Sequence, residues 1–375
     1  MRLLCSSFVA GLASFILQLA VLPTVRAAAQ PPFYQDKQLV IVINYALGGP
    51  TDAESRLLAR HLGRHIAGNP AVIVKDMGRS GGSLGPGWLA NTASPDGLSL
   101  GYFTAAAARA LLGEPAAQAD LSRLAFIAAA SGISVTYART DIGGGIKKAS
   151  DLLGKKDFWL GGVAADSDRD VRSRLQLDLL GAKYQYLTGF PTASDARLAF
   201  QRNEAQVFME SLVSYRNAIE PGLVASGGAM PLWFDPIDDG DGFSRSLDAD
   251  CIPALSFTDF LIKMRGELPR SELFDAWRLV NQAGTQFLRV LVMAPGTPKA
   301  AVAAMQEAVA KLATDPEFKE DSLKSVKFVL QFAADERTGE RFRQLLSPAP
   351  PLQDFLREYV AKVTADAPKK APPPQ

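Results

Sequence analysis

The 375-residue sequence predicts an α/β protein built of two lobes. Three observations carry that expectation. Short apolar runs alternate with glycine-containing turns and amphipathic stretches, the pattern of an open, largely parallel sheet flanked by helices. The length exceeds what one ordinary hydrophobic core supports. The composition, 47% hydrophobic and 21% charged, is that of a globular chain.

Taken in order, residues 1–29 read as a secretory leader. Arg2 precedes an apolar stretch from Leu3 to Leu22, Pro23 breaks it, and Val25-Arg26-Ala27-Ala28-Ala29 offers small residues for cleavage. Past a short linker, residues 39–43 (Leu-Val-Ile-Val-Ile) form a buried strand. Gly48-Gly49-Pro50-Thr51-Asp52 ends it and opens an amphipathic helix through Leu62, which Gly68-Asn69-Pro70 terminates. A strand at 71–74, the turn Ser80-Gly81-Gly82-Ser83, a helix near 84–91 and a strand at 98–103 follow.

The middle repeats the scheme. A strand at 157–160 leads through Gly161-Gly162 to a helix at 168–180, then to a strand at 184–187 closed by Thr188-Gly189-Phe190-Pro191. A helix near 194–203 precedes a strand at 206–209. Residues 235–250, polar and glycine-containing, read as a surface loop, and a strand at 289–293 precedes a helix at 299–314. The end of the chain, rich in proline and lysine, reads as a disordered tail over 364–375.

Several function classes fall away on composition. Lys+Arg 40 against Asp+Glu 39 leaves a net charge of +1, which gives no footprint for nucleic acid or anionic lipid. Loss of the leader removes Cys5 and leaves Cys251 alone, so no internal disulfide is expected. The two histidines, His61 and His65, stand at i, i+4 on one helix, a spacing that can hold a metal. No glutamate follows His61 and no third ligand is in view, so they read as part of an ordinary helix face, with no metal and no cofactor expected. No serine sits in a Gly-x-Ser-x-Gly elbow and no glycine turn carries a P-loop lysine. The expectation is a binding protein and not an enzyme.

The glycine turns suggest what is bound. A short Gly/Ser/Thr turn that opens a helix aims backbone N–H groups and the positive end of the helix dipole at one spot, which suits a carboxylate. In open α/β sheets ligands sit beyond the carboxyl ends of the strands.

From about residue 33 to residue 363 the order of these turns resembles the Bug family, the TctC-like periplasmic receptors of tripartite tricarboxylate transporters. That family's first strand ends in Pro-Pro-Gly-Gly-x-x-Asp, followed by a helix like Arg-Leu-Leu-Ala-Arg-His-Leu. Here the chain reads Tyr45-Ala46-Leu47-Gly48-Gly49-Pro50-Thr51-Asp52, then Arg56-Leu57-Leu58-Ala59-Arg60-His61-Leu62. The family's Asn-Met-Pro-Gly-Ala-Gly-Gly corresponds to residues 76–82, its Pro-x-Asp-Gly to Pro95-Asp96-Gly97, and its Thr-Gly-Tyr-Pro to Thr188-Gly189-Phe190-Pro191. Its Ala-Pro-x-Gly-x-Pro is found at residues 294–298, and Asp315-Pro316-Glu317-Phe318 fits its C-terminal helix pair.

The resemblance implies a type II periplasmic-binding-protein fold: two α/β lobes with a central ligand cleft, lobe 1 from 33–104 and 237–363 and lobe 2 from 105–236. It implies a monomer in the periplasm that takes a small carboxylate or amino-acid-like ligand and serves a membrane permease; the alternatives are a sensor subunit signalling through a membrane partner, or a diverged member with an altered, non-dicarboxylate ligand. The implied ligand contacts are Tyr45, Ala46, Gly48, Gly49, Thr51, Asp52, Ser80, Gly81, Gly82 and Thr104 in lobe 1. In lobe 2 they are Val163, Ala164, Asp166, Ser167, Gly189, Pro191, Thr192 and Glu210.

The chain departs from the family within this set. Both first-turn prolines are replaced, by Ala46 and Leu47, two second-lobe glycines have become Ala164 and Asp166, and Glu210 stands where a small residue is usual. Two readings follow. Either Asp166 and Glu210 make a negative cleft wall that favours a ligand with an amine, amide or hydroxyl opposite its carboxylate, or they face solvent or pair with Arg169, Arg172 or Arg216.

Overall fold

The computed structural model describes residues 32–78, 82–113, 119–244 and 252–366. The expected leader, Ser80, Gly81, Cys251 and all but the first three residues of the expected tail lie outside them.

The chain begins β1 (Gln38–Ile43), α1 (Pro50–Leu62), β2 (Ala71–Asp76), α2 (Leu84–Asn91), β3 (Ser99–Thr104), α3 (Ala106–Leu111) and β4 (Ala125–Ala130). It crosses at residues 131–133 into β5 (Ser134–Arg139), β6 (Phe158–Gly161), α4 (Asp168–Leu180), β7 (Tyr184–Leu187), α5 (Ala193–Gln201), β8 (Val207–Ser211), α6 (Leu212–Ala218) and β9 (Ala229–Phe234). There follow a hairpin of β10 (Ile237–Asp238) and β11 (Phe243–Ser244), then β12 (Leu255–Ser256), α7 (Phe257–Arg265) and α8 (Glu272–Thr285). The last part is β13 (Arg289–Met293), α9 (Lys299–Thr314), α10 (Pro316–Ser325), β14 (Phe332–Ala333), α11 (Glu336–Leu345) and α12 (Pro350–Asp366).

These strands make two six-stranded sheets, ordered β14-β4-β13-β3-β1-β2 and β12-β9-β5-β8-β6-β7. The first sheet buries Leu57, Leu58 and Leu62 of α1 with Met305 and Leu312 of α9 on one face. The other face takes Leu89, Leu111, Phe342 and Leu345 from α2, α3 and α11. The second sheet carries α4 and α7 on one side and α5 and α6 on the other, the latter through Ala196, Phe200, Tyr215 and Ile219.

Four expectations are corrected. The sheets are mixed, not largely parallel: β13 runs antiparallel to both β3 and β4, and β5 antiparallel to both β8 and β9. The lobes are interwoven differently from the expected boundaries. β4, placed in lobe 2 by a boundary at 104, pairs in the first sheet with β13 and β14, and β12 pairs in the second with β9. An alanine-rich run such as Ala-Phe-Ile-Ala-Ala-Ala carries little strand propensity, and burial between β13 and β14 decides its state. Residues 235–250 are not wholly a surface loop, because Asp235 and Asp238 are buried and the β10–β11 hairpin lies within them. At the C-terminus α12 runs on to Asp366, past the expected start of the tail at 364.

Local chemistry explains the helix ends that matter. Gly49 N-caps α1 with Pro50 as its first residue, a position where the missing N–H costs nothing. The Ser167 hydroxyl accepts the Asp170 N–H at 3.3 Å to cap α4, and Gly181, at φ +70°, stops it.

A network ties the return crossover to its surroundings. Arg172 Nη1 donates to Asp235 and Gln176 Nε2 to the other oxygen of the same carboxylate at 2.6 Å, while Trp233 Nε1 donates to Gln176 Oε1 at 2.8 Å. A Cβ on Gly284 of α8 would stand 2.6 Å from the Arg172 guanidinium carbon, so α8 approaches α4 this closely only with glycine there. From the far end of the chain, the Tyr359 hydroxyl of α12 donates to Asp178 of α4 at 2.5 Å, tying the C-terminal helix to the second lobe.

The two histidines serve the seam between α1 and α10. His61 Nε2 and Arg60 Nη2 lie 2.8 and 2.9 Å from Asp321, and His65 Nε2 lies 2.8 Å from Asp315. Hydrogen bonds from His61 and then Arg60 hold the Asp321 carboxyl well below the ordinary value of 3.8. A depressed carboxyl pKa contributes stability above the unfolded value and loses it as pH falls through the folded one. Asp321→Asn is therefore expected to destabilise the protein by about 1 kcal/mol at neutral pH. The gap should shrink below a pH of about 4. Thermal unfolding of both proteins at pH 7 and pH 3 checks this, and an unchanged gap in acid would contradict it.

Candidate functional site

Strand direction places the crossovers between the lobes at the carboxyl edge of both sheets. β4 is antiparallel to β13, which is antiparallel to β3, so β4 ends at the edge where β1 and β3 end. After three intervening residues β5 starts, and because β5 is antiparallel to β8 and β8 parallel to β6, that start lies at the carboxyl edge of the second sheet. β9 leaves the second lobe from the same edge, where the Asp235 N–H donates to Ser134 O at 2.9 Å. The turns after β1, β3, β6, β7 and β8 thus lie at the two carboxyl edges joined by the crossovers, on either side of the inter-lobe gap that a two-lobed fold implies.

In the first lobe Asn44 gathers the turns. Its Nδ2 donates to Gly82 O at 3.2 Å and Thr104 O at 3.0 Å, and its Oδ1 accepts the Thr104 N–H at 2.9 Å. The Thr51 and Thr104 hydroxyls meet at 2.9 Å, and Arg109 Nη2 donates to the Tyr45 hydroxyl at 3.0 Å. Gly78 packs so closely that a Cβ there would stand 2.5 Å from Tyr45 C and 2.6 Å from Ala46 N. The structure therefore brings together Tyr45, Ala46, Gly48, Gly49, Thr51, Asp52, Gly82 and Thr104. Ala46 and Gly48 are exposed at the tip, and the uncapped N-terminus of α1 opens beside them. Thr51 and Asp52 are buried behind it: Asp52 Oδ2 accepts the Gly48 N–H at 2.9 Å and the carboxylate pairs with Arg56. Asp52 shapes the turn instead of presenting a charge to the gap.

The second lobe repeats the device. Asp170 Oδ2 accepts the Ala164 N–H at 2.9 Å and the Tyr186 hydroxyl at 2.8 Å, and Gly162 leaves room for that carboxylate, since a Cβ would lie 2.3 Å from it. The Gly189 N–H donates to Val163 O at 3.1 Å, joining the turns after β6 and β7. Val163, Ala164, Asp166 and Ser167 are partly exposed on one turn, and Gly189, Pro191 and Thr192 are exposed on the other. Thr192 caps α5, its hydroxyl donating to Asp195 Oδ2 at 2.7 Å.

Glu210 is not on the wall of the gap. It is 1% exposed, accepts Arg197 Nη1 at 3.0 Å and the Tyr137 hydroxyl at 2.9 Å, and has the Arg169 charge nearby. Burial pushes its carboxyl up, against the pull of Arg197 and the Tyr137 hydrogen bond. The negative-wall reading fails for this residue because Arg197, one helix earlier, neutralises it. Pairing with arginine was the other reading, though the partner differs from those named. Sequence reasoning also missed Asn44, Arg109 and Asp170. For Asn44 a signal existed, an amide directly after five apolar strand residues. Among the described residues no group of three His, Cys, Asp or Glu side chains is placed to hold a metal ion.

The chain has the two-lobed α/β fold of periplasmic binding proteins. Among solved structures it is similar to a TctC solute-binding protein from Polaromonas, with a TM-score of 0.61 and 17% identity over 88% of this chain and 99% of the other. It is also similar to MatC from Rhodopseudomonas palustris with bound malate, with a TM-score of 0.51 and 16% identity over 88% and 98%. In sequence it is 35% identical over 85 residues to a UPF0065 protein in the TAR-I ttuE-ttuC' intergenic region of Agrobacterium vitis. That match spans 23% of either chain. No protein-family model matches the chain.

Proposed function

We propose that the protein is a periplasmic receptor of the Bug and TctC kind, exported by the leader at 1–29, which captures a small carboxylate and delivers it to a permease of the tripartite tricarboxylate type. The observation that supports this most is that five strand-end turns, with the uncapped N-terminus of α1 among them, lie at the carboxyl edges of two sheets joined there by short crossovers. A carboxylate in that gap meets backbone N–H donors and a favourable helix dipole in a site from which closure excludes water. The malate in the MatC structure is a ligand of that chemistry. A ligand drives closure only by binding the closed arrangement better than the open one.

The test is a thermal-shift screen of the mature chain against mono- and dicarboxylates, followed by titration calorimetry of the hits. One acid class should raise the melting temperature with concentration, as mass action requires, and bind one molecule per chain. Absence of stabilisation by every acid at millimolar concentration would sink the proposal.

A further inference from the structure

The inference rests on the receptor reading and concerns what kind of acid the cleft accepts. Glu210 lies in β8 near its carboxyl end, beneath two arginines of the helices that follow the turns after β6 and β7. Arg169 belongs to the first turn of α4, directly after the cleft turn 161–167, with its guanidinium 5.2 Å above the Phe208 ring. Arg197 lies in α5, and its Nη2 also donates to Ser194 Oγ at 2.9 Å, near the Thr192 cap. Both arginine side chains keep about a fifth of their surface exposed, 19% and 18%, while Glu210 beneath them keeps 1%. Two partly exposed guanidinium groups therefore lie over a buried acid near the carboxyl edge of the second sheet, and they form the floor of the cleft as the receptor reading places it.

Each cation near this floor already has an acid beside it within the protein. Arg197 is held by Glu210 at 3.0 Å, Arg169 lies 3.5 Å from Asp170, and Arg172 is occupied by Asp168 and Asp235. Asp166, partly exposed on the adjoining turn, adds a negative charge at the rim. A ligand carboxylate arriving here would be desolvated without meeting an uncompensated cation, and desolvated charges without such a partner are strongly disfavoured. A neutral oxygen or an apolar end meets no such penalty, and the exposed guanidinium edges can still donate to it.

We infer that Glu210, from behind the cleft floor, sets specificity through the arginines above it: it neutralises the cation that a ligand's second acid group would need and so restricts the receptor to acids with a single carboxylate. The first-lobe turns hold that carboxylate, and the far end of the ligand reaches the floor uncharged.

The experiment compares wild type, Glu210→Gln and Arg197→Gln in titrations with acid pairs of equal length, butyrate with succinate and hexanoate with adipate. Wild type should prefer the monoacid in the pair that fits. Glu210→Gln keeps the shape and a hydrogen-bonding oxygen but takes the counter-charge from Arg197, raising the floor's net charge by one, and should shift the affinity ratio toward the diacid by about tenfold. Arg197→Gln lowers the floor's net charge by one and should shift the ratio the other way. A merely structural role for Glu210 would alter stability and leave the ratio alone. A ratio within about twofold of wild type in folded Glu210→Gln would overturn the inference while leaving the receptor reading intact. Should Glu210→Gln not fold, an unmoved ratio in Arg197→Gln does the same. Failure of wild type to bind any of the four acids or any acid of the wider screen overturns the receptor reading, and this inference with it.

Discussion

Replacing Arg289 with methionine is expected to destabilise the protein by about 3–5 kcal/mol, the range for removing one partner of a buried ion pair. Arg289 opens β13 and stands opposite Thr104 in the register, at the edge where the first-lobe turns converge. Its Nε and Nη2 both donate to the carboxylate of Glu54, in the second turn of α1, and the Tyr102 hydroxyl donates to the same carboxylate at 2.7 Å. The Arg289 and Glu54 side chains are 5% and 1% exposed, so water cannot replace the lost partner. The pair pins the start of α1, and with it the Gly48–Thr51 turn, to the sheet. Replacing both, as Glu54→Leu with Arg289→Met, removes the stranded charge as well and should be milder than Arg289→Met alone. Chemical denaturation of the three proteins checks this. A loss below about 1 kcal/mol for the single variant would show that the site can hydrate or relax, against the burial described.

The second large effect falls on binding. Gly78→Ala should weaken ligand affinity about a hundredfold, or about 2.8 kcal/mol. The new Cβ would press against backbone atoms of Tyr45 and Ala46, which cannot turn aside as a flexible side chain can, so the tip of the first turn must shift. Donors that hold a carboxylate by geometry tolerate little displacement. Gly87→Ala in α2 is the control, since nothing stands within 4 Å of a Cβ there. It should leave affinity unchanged and add up to about 1 kcal/mol of stability through helix propensity. Titration of both variants with the acid that binds wild type decides the matter. Equal affinities in wild type and Gly78→Ala would separate the Tyr45–Gly49 turn from ligand binding.

What could be read from the amino acids divides along a physical line. Features set by neighbours in the chain were legible. The apolar run at 39–43, the Ser-capped helix at 168–180 and the glycine-opened helix at 50–62 carry their own punctuation, and the structure places elements there. Features set by distant residues were not. β4 and β9 are strands because partners on both sides hold them, and the polar Gln176 and Asp235 are buried because each satisfies the other. The same limit applied at the site. The glycines of the turns were visible, yet nothing local says that Asp170 folds back onto Ala164, or that Arg197 reaches Glu210 across a helix–strand junction. An acid beside a binding turn reads as a charge offered to the ligand until its partner is known.

A crystal structure of the protein with the acid that binds most tightly in solution is the direct arbiter. The acid's carboxylate should lie between the Tyr45–Gly49 and Val163–Ser167 turns, accepting backbone N–H groups, with its far end toward Arg169 and Arg197. A ligand bound on an outer surface, or a gap filled by the protein's own side chains with the acid excluded, would contradict the receptor account.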